Sequence, residues 1–529
     1  MESTERPGLS ETSDWVTACD HIMPNVCRPA PVNALRTRAT SRPAVPPQRQ
    51  TLIDSGPRVV SATTRIALRI GVFFDGTGNN AANTALGLAC GAQHPIKPED
   101  RDASCKPYMS DPDSSYGCDV TNIKKLSAVY PVSDRSEGGG STKSISRMIY
   151  LDGIGTAAGE KDSVIGSGMG RGITGVVGRV ELAFQFIADY IGKVILENPS
   201  CEITDLTFDT FGFSRGAAAA RHFANEVARG KTGLLKQALE ANEEGFSKSF
   251  LDFYKSDINM GFIGLFDTVA SIAGLSNFGR VQSAAAPGLH LYLPRSLFSN
   301  VVHLVARDEH RANFPLSRVK PDHLEISLPG VHSDIGGGYF AEAEECVLVG
   351  PMQGLTVTKG TAIATTSIYR DAEIQKARMV AQGWPASMLD IVTPDPKLLD
   401  IDSQDRMADR EERAYAGLQI ARPVRGDLSR VYLKLMHELA KQKGVPFQDI
   451  PESPEFQVCA ELQPLCDRFL SGDYGISPSE ETMLKLRYIH SSAHWNNPLD
   501  EGGQRELKLL YINAPTADGV RVQHPHVPD

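Results

Sequence analysis

Apolar and polar residues alternate along the chain in blocks that predict strands followed by helices. The run IALRIGVFF, from Ile66 to Phe74, is apolar enough for a buried strand and is broken by the glycine-rich DGTGNN. A second strand is predicted in SRMIYLDG, a long helix at about 180–196, and a third strand at 203–211 followed by an Ala-rich helix. This alternation predicts an α/β fold with a mainly parallel sheet, helices on both faces and large helical insertions.

The same pattern divides the chain into four segments. Residues 1–64 are rich in Pro, Arg, Ser and Thr without a sustained period, and predict an extended or loosely docked arm. Residues 65–340 carry the alternation and predict the core domain. Residues 341–475 lose it and predict an insertion. Residues 476–529 predict a return to the core, with a final strand RELKLLYIN and a tail.

Composition narrows the class of protein. Hydrophobic residues make up 41% and charged residues 22% of the 529 positions, which is ordinary for a globular protein. The net charge is −10 and no Lys/Arg-rich run with interleaved aromatics occurs, so nucleic acid is not an expected partner. No apolar run approaches the ~20 residues that span a bilayer. The acidic, polar start MESTERPGLSETSDWVTACD does not encode a classical signal peptide.

The nine cysteines are scattered without a CxxC pair. That pattern favours reduced thiols over a disulfide framework or a zinc site, while a few disulfides formed after export remain open. Neither a metal nor a cofactor is expected from the sequence.

A candidate nucleophile stands between the third strand and the Ala-rich helix, in Gly212-Phe213-Ser214-Arg215-Gly216. A serine hydroxyl reacts only when a positioned base removes its proton and the resulting oxyanion is stabilised. In a nucleophile elbow the serine occupies a strained turn, and glycines two residues before and after it prevent clashes. The Arg215 amide would face the oxyanion. The alternative is a structural serine that caps the helix.

Two further polar residues close apolar runs later in the chain. Asp267 ends GFIGLFD and His332 follows HLEISLPGV, so an acid and a histidine come after the serine in the order that α/β-hydrolases use. Taken singly, Asp267 is a turn residue that caps the next helix and His332 a loop histidine that donates to backbone. The competing histidines are His303, His490 and His494.

The loop FFDGTGNN predicts the second oxyanion donor, from the amides of Gly76 and Thr77. A phosphate-binding loop is the rival interpretation, but the segment has neither the Lys of a P-loop nor GxGxxG spacing. The segment GSGMGRGITG fits no nucleotide fingerprint and predicts a flexible connection or the edge of a lid.

Five ordered segments resemble one family: FFDGTGNN, GFSRGAAAARHFAN, GFIGLFDTVAS, VARDEHRANFP and LPGVHSDIGGGY. Together they are similar to the first class of type VI secretion lipase effectors, which are antibacterial phospholipases among GxSxG hydrolases. The resemblance covers roughly residues 66–340, and RYIHSSAHWNN extends it toward the C-terminus.

The resemblance implies an α/β-hydrolase core that cleaves acyl esters of membrane phospholipids. It implies Ser214 as nucleophile, Asp267 as the acid and His332 as the base, without a metal. It also implies a route from the producer's cytoplasm on a secretion spike protein into the periplasm of a target bacterium, and a cognate immunity protein. The insertion at 341–475 would then be a lid or a membrane-docking region, as would Pro287 to Val302, unless that stretch is a buried connection.

Two other functions remain open at this point. An esterase or thioesterase acting on a soluble acyl substrate would use the same three residues. A binding protein that kept the fold without the activity is the other alternative, and the intact set of Ser214, Asp267 and His332 argues against it.

Overall fold

The structure is a computed structural model, and it describes residues 64–136, 142–162, 175–270, 288–399, 410–495, 499–500, 503–504 and 513–528. Three predictions lie wholly or almost wholly outside these stretches: the N-terminal arm, the connection GSGMGRGITG and the final strand RELKLLYIN. The described residues belong to one compact unit, Ala62–Asp529.

The strands and helices are numbered in chain order. The strands are β1 (Thr64–Phe74), β2 (Ser133–Ser136), β3 (Thr142–Leu151), β4 (Cys201–Phe213), β5 (Ile258–Phe266), β6 (Val301–Ala306), β7 (Leu316–Ser317), β8 (Leu324–Leu328), β9 (Ala343–Leu348), β10 (Gln353–Thr358), β11 (Leu389–Val392), β12 (Lys397–Leu398), β13 (Glu411–Val424), β14 (Leu499–Asp500), β15 (Gly503–Gln504) and β16 (Gln523–His524). The helices are α1 (Ala81–Cys90), α2 (Asn122–Val129), α3 (Val176–Glu197), α4 (Arg215–Ala228), α5 (Leu235–Glu240), α6 (His332–Gly336), α7 (Ser367–Ala381), α8 (Leu428–Gln442), α9 (Gln463–Leu470) and α10 (Pro478–Arg487). None of these described helices is long and apolar enough to cross a membrane.

The described residues form a seven-stranded central sheet in the order β2-β3-β1-β4-β5-β6-β8. All neighbouring strands run parallel except β2, which is antiparallel to β3. The register brings Phe74 of β1 beside Gly212 of β4, and Phe213 of β4 beside Phe266 of β5. The residues that follow these strands therefore meet at one edge of the sheet, where α/β folds place their sites.

Both faces of the sheet are buried, because side chains alternate along each strand. Val72 of β1 points into a core with α3 and α4, whereas its neighbour Phe73 points into a second core with α2, α8 and α9. This arrangement confirms the predicted fold class, a parallel sheet with helices on both faces.

Residues 341–475 contribute to two layers. Strands β9 to β12 pair antiparallel with the long strand β13, and α7 packs on that second sheet. Helix α8, from the same segment, instead lies on the central sheet with Tyr432 and Met436 fully buried. The predicted insertion thus holds strands as well as helices, and its last part completes the core. The predicted domain boundaries stay a prediction.

The C-terminal tail returns to the central domain. Gln523 and His524 pair with Leu316 and Ser317 as β16 and β7. Further along, the Leu293 amide donates to Nε2 of His526 over 2.9 Å. Through these contacts residues 523–526 lie beside the segment before β6 as well as the segment after it.

Cys90 and Cys105 form a disulfide that joins the end of α1 to the loop behind it. The cysteine pattern favoured reduced thiols and left a few disulfides open. This pair, within the described part of the chain, is such a disulfide.

In the stretch from Pro287 to Val302, most of the large apolar side chains that the structure describes are buried, while the polar residues between them are largely exposed. Leu289, Leu293 and Phe298 belong to the core, and Leu297 is the exposed apolar side chain among them. The burial favours a connection between core elements over a lid or docking surface for residues 288–302.

Candidate active site

Ser214 lies in a strained turn between β4 and α4. Its φ of 58° and ψ of −124° lie outside the regions that side-chain-bearing residues ordinarily adopt, and such strain persists only where the surroundings enforce it. Its amide donates to the carbonyl of Phe266 over 3.0 Å, which fixes the turn against β5. Its hydroxyl makes no capping hydrogen bond to α4. Ser214 is therefore not a helix cap in the sense of a side-chain acceptor.

Close backbone approach explains the two glycines of the motif. A Cβ on Gly212 would lie 2.3 Å from the carbonyl oxygen of Gly216. A Cβ on Gly216 would lie 2.3 Å from the carbonyl oxygen of Phe74. Since real Cβ atoms do not approach so closely, any other residue at Gly212 would push β4 and the start of α4 apart, and any other residue at Gly216 would push the elbow away from β1.

Asp267 comes directly after β5 and is fully buried, with a φ of 42°. Its Oδ1 accepts from the Ala306 amide at 2.9 Å, and its two oxygens accept from the Arg521 guanidinium at 2.8 Å each. Burial alone would raise the pKa of the carboxyl, but Arg521 and His332 hold that pKa well below its usual range. Asp267 is therefore an ionised carboxylate.

His332, the first residue of α6, has its Nδ1 2.5 Å from Oδ2 of Asp267. Because a carboxylate only accepts, Nδ1 carries the proton and Nε2 is left as an acceptor. The imidazole packs between the rings of Phe213 and Phe314, at centroid distances of 4.6 and 4.9 Å. Burial lowers the pKa of His332 below its ordinary value, and Asp267 opposes that effect. A neutral His332 with a free Nε2 is suited to accept a proton.

The three competing histidines have other partners. Nε2 of His303 accepts a hydrogen bond from the Thr268 amide at 3.0 Å. Nδ1 of His490 lies 2.7 Å from Oδ1 of Asp334, and Nε2 of His494 lies 3.3 Å from the side-chain amide of Asn513. Asp267 and His332 are thus the acid and the histidine that the fold brings together at the end of β5.

The loop after β1 holds the predicted oxyanion donors. The Gly76 amide already donates to Oδ1 of Asp75 at 2.7 Å, so it is not free to bind an oxyanion in this geometry. Within the described stretches neither the Thr77 amide nor the Arg215 amide is committed to a protein acceptor. The Thr77 hydroxyl is buried without a hydrogen-bond partner. Of the predicted donors, Thr77 and Arg215 are the ones left available.

Two polar residues around the dyad were missed in the sequence. Arg521 is 7% exposed and holds Asp267, although 254 positions separate them. Glu309, fully buried, accepts from the His332 amide at 3.2 Å and is held by Arg311. Burial would raise the pKa of Glu309, but Arg311 lowers it to about 2. Arg521 reaches Asp267 from a distant part of the chain, and Glu309, although its partner Arg311 is two positions away, contacts His332 across 23 positions, so no local pattern marks either contact.

The described residues contain no group of three or more His, Cys, Asp or Glu side chains placed to hold a metal ion. The site holds a paired carboxylate and histidine at the end of β5 and a serine in a strained turn at the end of β4, which are the residue types that nucleophilic acyl transfer uses.

A family model matches residues 240–353, and its description is a type VI secretion phospholipase effector, Tle1-like, catalytic domain. The matched region contains Asp267 and His332. Over a larger span, the chain is similar to a solved structure described as the Tle1 effector bound to the VgrG spike from the type 6 secretion system. That similarity has 27% sequence identity and a TM-score of 0.66, and covers 90% of this chain and 98% of the other.

Both comparisons support a Tle1-like phospholipase effector of type VI secretion. This confirms the predicted function, an antibacterial phospholipase of type VI secretion, and the predicted class of ester hydrolase. A structure of an uncharacterised protein from Pseudomonas aeruginosa aligns with a TM-score of 0.36 and 18% identity, over 80% of this chain and 53% of the other, and is too distant to bear on this Tle1-like chain. No curated protein matches the sequence.

Proposed function

We propose that this phospholipase cleaves the acyl esters of membrane phospholipids with Ser214 as nucleophile, His332 as base and Asp267 as the acid that orients the base. The observation that carries the proposal is the Asp267–His332 pair, whose imidazole packs at 4.6 Å on the ring of Phe213, the residue before the strained Ser214. Strain of this kind is characteristic of nucleophile elbows.

In acylation, Nε2 of His332 accepts the Ser214 proton as the hydroxyl oxygen attacks the ester carbon. Negative charge then develops on the former carbonyl oxygen, where the amides of Thr77 and Arg215 donate to it. Asp267 stabilises the imidazolium through Nδ1 and keeps the imidazole in the required tautomer. Collapse of the intermediate breaks the ester bond, and His332 protonates the departing lysophospholipid alkoxide.

In deacylation, water takes the place of the serine hydroxyl. His332 accepts a proton from the water as it attacks the acyl-serine ester, and then returns that proton to Oγ of Ser214. The products are a fatty acid and the free enzyme. Neutral His332 is needed at both attacks, and burial, which lowers its pKa, supports that state.

The proposal extends to partners and place of action. The related Tle1 structure is of an effector bound to a VgrG spike, and we propose a spike protein of that kind as the carrier of this chain. Action in the periplasm of a target bacterium and neutralisation by an immunity protein belong to the same proposal. Co-purification of the chain with a VgrG spike protein tests the carrier.

The test of the site is Ser214→Ala, assayed by release of fatty acid from phospholipid vesicles. The rate is expected to fall by at least about 1,000-fold, because the nucleophile acts as one unit with its base. Ser367→Ala, an exposed serine at the start of α7, is the matched control and should hydrolyse vesicles normally.

Three outcomes are distinguished by this assay. Loss of vesicle hydrolysis in Ser214→Ala alone supports the proposal. Turnover of short soluble esters without turnover of vesicles would favour an esterase. An unchanged rate in Ser214→Ala would exclude Ser214 as the nucleophile.

A further inference from the structure

Arg215 has a guanidinium without a counter-ion beside the nucleophile. It follows Ser214 directly, opens α4 and is partly buried. Within the described stretches its side chain makes no hydrogen bond, ion pair or ring contact. Consecutive Cα atoms are about 3.8 Å apart, so the Arg215 side chain starts next to the serine, within one side-chain length of the group that the serine attacks.

The other arginines show how unusual that is. The described arginines that are buried all donate to carboxylates or backbone carbonyls, and they are Arg147, Arg179, Arg221, Arg422 and Arg521. Each of them links two parts of the fold. The Arg215 side chain makes no such link to any described residue.

The position of Arg215 is also unfavourable for stability. A cation in the first turn of a helix opposes the helix dipole, whose positive end lies there. Burial removes water from the guanidinium and lowers the pKa of Arg215 to about 10. A desolvated charge without a partner destabilises the folded state, and an anion bound beside it would offset that loss.

We propose that the Arg215 guanidinium binds the phosphodiester group of the phospholipid whose acyl ester Ser214 attacks. This inference rests on the proposed function. A phosphodiester is the anion that every phospholipid carries a few bonds from its acyl esters, and the planar guanidinium donates to two phosphate oxygens at once. Such a contact would favour phospholipids over neutral lipids with the same acyl chains.

The test compares two substrates that differ in the phosphate. Dihexanoyl phosphatidylcholine carries it, and dihexanoylglycerol has the same acyl chains without it. Arg215→Gln removes the charge and keeps the backbone amide that faces the oxyanion. We expect kcat/KM for the phospholipid to fall by at least about 10-fold, because charge-assisted bidentate hydrogen bonds are lost. The value for dihexanoylglycerol should change by less than about 3-fold, since no such bond exists there.

Two variants serve as controls. Arg215→Lys keeps the charge but cannot form a bidentate hydrogen bond. Compared with Arg215→Gln, it should recover part of the kcat/KM for the phospholipid. Arg378→Gln removes an exposed arginine of α7 and should leave both substrates unaffected. Thermal unfolding of Arg215→Gln should be unchanged or occur at higher temperature, because the lost charge stabilised nothing in the free protein.

Several results would overturn the inference. Equal losses on both substrates would mean that Arg215 acts on the oxyanion or on the fold. No loss on the phospholipid would mean that the phosphate binds elsewhere. A marked fall in the unfolding temperature of Arg215→Gln would mean that the guanidinium has a structural partner.

A binding measurement separates this inference from the proposed function. Titration of dihexanoyl phosphatidylcholine into Ser214→Ala and into the double variant Ser214→Ala/Arg215→Gln needs no turnover. We expect the dissociation constant to rise by at least about 10-fold in the double variant. Inorganic phosphate, titrated in the same way, distinguishes a lipid site from a free-phosphate site. An Arg215 effect on inorganic phosphate alone would contradict the lipid assignment.

Discussion

Asp75 and Asp267 stand at equivalent places in the sheet and differ in their electrostatics. Each follows a parallel strand at the same edge, Asp75 after β1 and Asp267 after β5, and each is buried. Their local sequences, FFDGT and LFDTV, are nearly alike. Only Asp267 touches a histidine and a guanidinium.

Asp75 is held by neutral donors instead. Its Oδ2 accepts from the Tyr150 hydroxyl at 2.5 Å, and its Oδ1 accepts from the Thr121 hydroxyl and the Gly76 amide at 2.7 Å each. Burial raises the pKa of Asp75 to about 6, and these donors lower it less than burial raises it. For Asp267, burial also raises the pKa, but Arg521 and His332 lower it by more, so the pKa is depressed. Charge supplied from elsewhere in the fold therefore decides which of two buried aspartates is held ionised, here the one beside a histidine.

The largest expected effect is that of Arg521→Gln, which would make Asp267 resemble Asp75. Removing one partner of a buried pair leaves an uncompensated charge, which costs about 3–5 kcal/mol of unfolding free energy at pH 7. The depressed pKa of Asp267 contributes stability above its unfolded value of about 3.9, and this contribution is lost as pH falls below that value. The difference from wild type, measured by urea unfolding, should therefore shrink in acid.

Arg521→Lys and Arg378→Gln sharpen that measurement. The lysine keeps one charge and should lose less stability and less activity than the glutamine variant. The exposed Arg378 should be replaceable without effect. Wild-type stability and turnover in Arg521→Gln would show that the tail does not hold Asp267.

A smaller effect is expected from Asp75→Asn, and it depends on pH. The pKa of Asp75 is raised, so the folded state binds its proton more tightly and this contribution to stability is lost as pH rises from about 4 to about 6. The shift of about two pH units corresponds to about 3 kcal/mol. The variant cannot ionise, so its unfolding free energy should rise relative to wild type by that amount across the window.

The exposed Asp113→Asn is the control for Asp75→Asn, and its difference from wild type should be flat with pH. A flat profile for Asp75→Asn as well would contradict a raised pKa in the loop after β1.

Tyr150→Phe should have the smallest effect of the three. The tyrosine hydroxyl favours the charged form of Asp75, so its loss should raise the pKa of Asp75 further and move the fall in stability to higher pH. Above the window the loss should be about 1 kcal/mol, the usual value of one hydrogen bond. Urea unfolding at several pH values measures it, with Tyr369→Phe as control. A shift to lower pH would be inconsistent with the donor role.

The sequence predicted the central sheet well because its strands are buried on both faces and read as continuous apolar runs. It predicted the elbow because the Gly-x-Ser-x-Gly spacing is local in sequence, although the space at Gly216 is limited by the Phe74 carbonyl of β1. It predicted that Asp267 and His332 follow strand ends. In the fold, Nδ1 of His332 lies 2.5 Å from Oδ2 of Asp267. These features are local in sequence or follow from strand order.

Other features of the site and the fold could not be predicted from the sequence pattern. The Gly76 amide donates to the side chain of Asp75 and is therefore not available to an oxyanion. The glycine-rich sequence of the loop does not predict this hydrogen bond. Helix α8 belongs to the core although it lies inside the predicted insertion. Arg521 comes from a tail whose short strand gives no sign of the carboxylate that it reaches.

The sequence by itself determined the α/β class, the strained serine turn and the order of serine, acid and histidine, because periodicity and glycine spacing act over a few residues. The tertiary structure decided which buried aspartate has a raised and which a lowered pKa, which amides remain uncommitted, and that Arg215 has no partner among the described residues. Those properties depend on which charged groups and hydrogen-bond donors the fold brings into contact, some of them from positions more than 200 residues apart. Burial strengthens the electrostatic interaction in each such contact.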